Sequence, residues 1–124
     1  MTPAQVQNAL GQHLVTLGKT IVFPNKTTPP PALPYLVMQA TARNDIDRSL
    51  AGGAGYSEGR QFIVVVHHKD QFATAADALA YQVKQLFPKA LRLGKLTIVR
   101  SQVLGGYGTD TDYRVPVQID WIAT

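Results

Sequence analysis

Three kinds of side chain in this sequence have types and spacings that chemistry would need. They are histidines, carboxylates beside glycine-rich turns, and a run of cations. His67 and His68 invite a metal reading. Neighbouring residues on a strand point to opposite faces, so these two imidazoles do not converge on one ion from a regular strand. His13 is the only other histidine, and the plainer expectation is polar residues at a strand end. Gly52-Gly53-Ala54-Gly55 has the composition of a phosphate loop. Such a loop needs a strand before it, a helix after it and, in a P-loop, a Lys-Ser/Thr pair. Here a strand is expected to follow, and the only such pairs are Lys19-Thr20 and Lys26-Thr27. Flexibility is the reading that remains for the glycines. Asp110 and Asp112 flank Thr111 at a spacing that would suit a calcium ion, although carboxylates in such a place more often form turns. There is no Gly-x-Ser-x-Gly elbow. With no cysteine there is no thiolate nucleophile, thiolate zinc site, iron–sulfur cluster or disulfide. Catalysis, cofactors and bound metal are not expected.

The cations Lys84, Lys89, Arg92, Lys95 and Arg100 occur with no acid between them. They would suit phosphate attraction at a nucleic-acid surface. They would equally suit the end of a helix, where cations complement the dipole and the free carbonyls. Aromatic interleaving of the RNA-binding kind is missing, because Phe87 belongs with the apolar face of a helix.

The elements that must position these groups follow from periodicity. Thr2-Pro3 reads as an N-cap and first helical residue. Val6, Ala9, Leu10, Leu14 and Leu17 then recur at helical spacing up to Gly18, which predicts a helix over about 3–17. Its other face, with Gln5, Gln7, Asn8 and Gln12, is rich in amides and uncharged. A short extended piece at 21–23 and a proline-rich connection at 27–31 lead to a strand over 34–42. Residues 43–59 read as a loop or flexible hairpin tip, charged at its base and glycine-rich at its tip. Arg60 to His68 contains Phe62-Ile63-Val64-Val65-Val66, a run typical of a strand buried on both faces and paired antiparallel with 34–42. Phe72, Ala75, Ala76, Leu79, Val83, Leu86 and Phe87 define a second helical face, closed by Pro88. Strands at 96–103 and 113–122 complete the chain. In the last, Tyr113, Val115, Val117, Ile119 and Trp121 alternate with Arg114, Pro116, Gln118 and Asp120. Pro116 implies an edge strand, or one whose amide at that point has no partner. The expected fold is one α+β domain over 1–124, in the order α-β-β-β-α-β-β. Its mostly antiparallel or mixed sheet is packed by two helices.

A chain of 124 residues with 45% apolar residues carries an adequate core for one domain. No apolar run is long enough to span a bilayer as a helix, and no secretory signal is visible at Met1-Thr2-Pro3-Ala4, so no membrane association is expected. The unusual number is charge. Only 16% of residues are charged, against about 25% in an average domain. Residues 1–18 and 29–42 carry no charged side chain at all. Part of the surface is therefore expected to be covered by partners.

Four passages carry a resemblance. Phe23-Pro24-Asn25, Pro29-Pro30 and Pro34-Tyr35-Leu36 lead into the first long strand. Gly59-Arg60-Gln61-Phe62 opens the next. Ala75-Ala76-Asp77-Ala78-Leu79-Ala80 forms a helix ending in Leu86-Phe87-Pro88. The last is Tyr113-Arg114-Val115-Pro116-Val117-Gln118-Ile119-Asp120-Trp121. Together, over nearly the whole chain, they resemble the tail terminator (tail completion) proteins of long-tailed bacteriophages. Phe23 stands where that family commonly has Trp.

The resemblance implies a structural virion protein, not an enzyme, assembled in the host cytoplasm. It would form a ring, usually a hexamer, on the head-proximal end of the tail tube. The ring stops tube growth and joins the tail to the filled head. Its partners would be other copies of itself, the major tail tube protein and a head-completion or connector protein, with DNA passing through the opening unread. A head-completion protein of the same joint and a small DNA-binding module are the alternatives. A closed ring needs two different patches on each subunit. Gln5, Asn8 and Gln12, with Pro29, Pro30 and Pro31, are the expected ring-interface residues. Arg43, Asp45, Asp47, Arg48, Gly52, Gly53 and Gly55 are the expected loop toward the tube or lumen.

Overall fold

The computed structural model describes residues 2–24, 31–46, 55–69 and 73–124. Helix α1 spans Pro3–Val15 and is started by a capping box. The Gln5 N–H donates to Thr2 Oγ1 at 3.2 Å, and the Thr2 N–H donates to Gln5 Oε1 at 2.8 Å. It stops two residues earlier than the apolar spacing implies, in a turn that leads to Gly18 at φ +78°. Strands β1 (Ile21–Val22), β2 (Tyr35–Met38), β3 (Ala42–Ile46) and β4 (Tyr56–His68) follow. Helix α2 is Ala73–Leu86. Strands β5 (Arg92–Leu93), β6 (Leu96–Val103), β7 (Tyr107–Gly108) and β8 (Asp112–Ala123) complete the order. The α+β class and the mixed sheet are those expected, with three short strands added.

The sheet order is β1-β2-β4-β8-β6-β5, with β3 also paired to β4 and β7 to β8. Among the described residues only β1 and β2 pair in parallel; every other pair is antiparallel. Both helices contribute to one core against one face of the sheet. Val6, Leu10 and Leu14 of α1 and Ala76, Leu79, Ala80 and Val83 of α2 meet Leu36, Met38, Ile63, Val65, Val115, Val117, Ile119 and Trp121. Ala80 takes the place on the α2 core face that periodicity gave to Ala75, which is exposed. Phe72 lies outside the described residues. His13 ties the helices together: its Nε2–H donates to the carbonyl of Leu86 at 2.7 Å, and its ring sits edge-on to Phe87. The carbonyl it meets is one of those a helix end leaves without an internal partner.

One expectation is corrected, and another resolves to the second of its two readings. Residues 43–46 and 56–59 are not loop: β3 and the first part of β4 pair from Ala42↔Arg60 to Ile46↔Tyr56. Asn and Asp disfavour strands by propensity, but cross-strand pairing outweighs that here. Pro116 is not on an edge strand, since β8 lies between β4 and β6. The Pro116 carbonyl accepts from the Leu104 N–H at 2.9 Å, one residue beyond the last β6 pair. A strand residue's amide and carbonyl point the same way. The missing N–H therefore faces the point where the β6 ladder ends, which is the second of the two readings.

Candidate interaction surface

The two-residue period of the strands separates a helix-covered face from an open one. On the open face, Tyr35, Val64 and Val66 form a second small buried cluster, flanked by Val22, Leu33 and Val37. This gives the Val-rich run of β4 its burial on both faces. Farther along β4 the same face is polar. Arg60, Asp120 and Arg100 lie in one row across β4, β8 and β6. Asp120 receives Arg60 Nε at 3.0 Å and Arg100 NH2 at 3.2 Å, and the Gln118 amide also points at it. Both guanidiniums are more than half exposed, so the pairs contribute little to stability. One carboxylate shared by two arginines leaves the row cationic.

At its Tyr56 end β4 carries a close-packed edge. Gly59 sits opposite Arg43 on one side and Trp121 on the other. A Cβ there would lie 2.2 Å from the Ala42 carbonyl oxygen and 2.4 Å from Trp121 Cζ2. Only glycine lets the indole lie this close across β4. On the same face Arg43 Nε donates to Asp45 Oδ1 at 2.7 Å, and the buried Ser57 hydroxyl donates to the same oxygen at 2.5 Å. The Ser57 hydrogen bond, and then Arg43, hold the Asp45 carboxyl below the usual carboxylate range. Buried Gln61 spans the break between β2 and β3. Its amide donates to the carbonyls of Gln39 and Phe62, and its oxygen accepts from the Thr41 hydroxyl.

The carboxylates around Thr111 are turn formers. Asp112 accepts from Thr109 Oγ1 at 2.8 Å and from Arg114 Nε at 2.9 Å. Arg114 is the main cause that lowers the Asp112 pKa, with Thr109 adding to it against the opposing effect of burial. A lowered folded-state pKa gives a contribution that is complete above the unfolded value of about 3.9. It drains away as pH falls through the folded value. Asp112→Asn is therefore expected to cost about 2 kcal/mol at pH 7. That difference should shrink when urea midpoints are compared again at pH 3.

The residues singled out by sequence fall in several places. His67 is buried and His68 exposed, with the His68 N–H donating to His67 Nδ1. Among the described residues no group of three possible metal ligands occurs. Gln5, Asn8 and Gln12 share a cleft of about 740 Å³ with His13, Thr16, Leu93, Gly94 and Lys95. Gln5 already spends its side-chain oxygen on the helix cap. Pro31 is half-buried just ahead of β2, whereas Pro29 and Pro30 lie outside the described residues. Arg43 and Asp45 belong to β3, and Gly55 directly precedes β4. Asp47, Arg48, Gly52 and Gly53 lie outside the described residues. The cation run follows the end of α2 and the β5–β6 hairpin, with Lys84 in the last turn of the helix. The Arg60–Asp120–Arg100 row was not assembled from sequence. The two arginines are 40 residues apart, and only the register of three strands joins them.

No protein-family model matches the chain, and no curated protein sequence matches it. Solved structures do share the fold. One, a protein with no functional name, superposes with a TM-score of 0.78 at 20% identity, over 100% of this chain and 96% of its own. The fold is also that of a chain in a solved virion of a native gene transfer agent particle. There the TM-score is 0.59 and the identity 21%, over 94% of this chain and 91% of that one.

Proposed function

We propose that this chain is a structural virion protein of a phage-like particle, a ring-forming subunit at the head-proximal end of a tail tube. It ends tube growth there and presents the surface to which the head is joined. The observation that carries the reading is the likeness, over nearly the full length of both chains, to a subunit of a gene transfer agent virion. The tail-terminator-like passages at 23–36, 59–62, 75–88 and 113–121 supply the finer assignment within a virion. The low charge supports it too, since a subunit covered on several sides needs less charge to stay dispersed.

Its partners in this reading are further copies of itself, the tube protein and a head-completion protein. DNA passes through without base contacts. Particles assembled without this chain are expected to show overlong, irregular tubes by electron microscopy, with heads left unjoined. Tubes of normal, fixed length that merely fail to join heads would overturn the terminator reading in favour of a head-completion protein. Normal, infectious or transducing particles would overturn both.

A further inference from the structure

Strands β3, β4, β8 and β6 are antiparallel at each step, so β3 and β6 run in opposite directions at the two sides of the sheet. β3 is bonded to β4, and no other strand pairs with it among the described residues. Among the described residues β6 is paired on its outer side only at its start. β5 meets Leu96 and Thr97, and the 90–91 segment bonds to Ile98. Beyond the bulge at Ile98/Arg100 the outer side of β6 is open among the described residues. Leu104 directs its N–H to β8, so by alternation Ser101 and Val103 direct their backbone groups outward.

Both sides are stepped. On one, β1 flanks β2 but does not extend along β3; on the other, β5 flanks the start of β6 and leaves 100–103 open. Five-residue β3 fits the notch beside 100–103 of a second copy, in antiparallel register. Asn44 then lies opposite Gln102, and Asp45 opposite Ser101.

Charge disfavours one alternative to this pairing. The β6 side carries Lys84, Lys89, Arg92, Lys95 and Arg100 with no acid from residue 78 to 109. The exposed charges at the β3 side are mixed: the carboxylates of Asp45 and Glu58 stand beside Arg60, and Asp45 is paired with Arg43. Two-fold pairing of β6 with β6 would set like charges against each other, which pairing with the mixed β3 side avoids. Joining β3 of one copy to β6 of the next brings the carboxylates of Asp45 and Glu58 to the cationic side.

We propose that copies of this chain join head to tail by adding β3 of one subunit to the 100–103 edge of β6 in the next, extending the antiparallel sheet across the interface. This deepens the ring reading above and rests on it.

The absence of cysteine makes the test direct. Asn44→Cys combined with Gln102→Cys places two thiols opposite each other across the joint. Asn44→Cys with Arg100→Cys covers a register two residues along. Each protein is oxidised alone and on purified tail tubes, then compared by native mass spectrometry and non-reducing electrophoresis. The expected result is a covalent ladder up to the ring number from one double variant, and none from either single-cysteine chain. Rings without a ladder in either register would overturn the strand pairing and leave the terminator reading intact. A disulfide dimer from the Asn44→Cys chain alone would replace head-to-tail joining by two-fold pairing. Absence of any ring, alone or on tubes, would overturn both.

Discussion

Gly59→Ala is expected to destabilise the protein by about 3 kcal/mol and to lower its Tm by roughly 10 °C. The added methyl carbon would sit 2.2 Å from the Ala42 carbonyl oxygen and within 2.7 Å of two indole carbons of Trp121. A flexible side chain would swing aside, but here one obstacle is the backbone of a paired strand and the other is a fully buried ring. Relief therefore requires β3 to separate from β4 or the core around Trp121 to open. Thermal unfolding of the variant beside wild type is the measurement. A Tm unchanged within a degree or two would mean that this edge yields far more easily than its packing implies.

The second large effect is at the ring itself. Trp121 is 1% exposed and heads the fully buried side chains by size, so Trp121→Ala is expected to cost about 4 kcal/mol. Its Nε1–H is buried and has no hydrogen-bond partner among the described residues. Trp121→Phe therefore surrenders volume but no hydrogen bond, and about 1–2 kcal/mol is expected. A Trp121→Phe loss well above about 2 kcal/mol, read from denaturant midpoints, would show that the N–H makes a bond after all. The Gly59 and Trp121 changes also interact. Removing the indole takes away two of the three overlaps of a residue-59 methyl but not the Ala42 carbonyl. The double variant Gly59→Ala/Trp121→Ala should be less destabilised than the sum of its parts.

Periodic burial made most of this architecture legible in advance. The helix faces, the Val-rich β4 and the alternating β8 are each dictated by apolar spacing, and β6 occupies 96–103 as expected. What spacing does not encode is pairing made by polar residues. Arg43-Asn44-Asp45 has no apolar alternation and low strand propensity, so β3 reads as loop until β4 and the Asp45–Ser57 hydrogen bond are in place. Pro116 illustrates a second limit. A missing amide shows that one rung is absent, but only the point where β6 ends reveals which neighbour lacks it. The candidate surface was less legible than the fold. Its cation run and its amide-rich helix face were visible as composition. The Arg60–Asp120–Arg100 row and the stepped edges exist only once register has aligned distant strands.

The bond from His13 to Leu86 has a consequence for how the protein opens. It joins residues 73 positions apart, from the last turn of α1 to the last residue of α2, where the Phe87 ring also meets the imidazole. Helices fray from their ends, and these two ends are fastened to each other. Neither helix then unwinds from that end without stripping the other of a partner. The last turns of the two helices are accordingly expected to open together, with matched hydrogen-exchange protection that His13→Ala would lower in both.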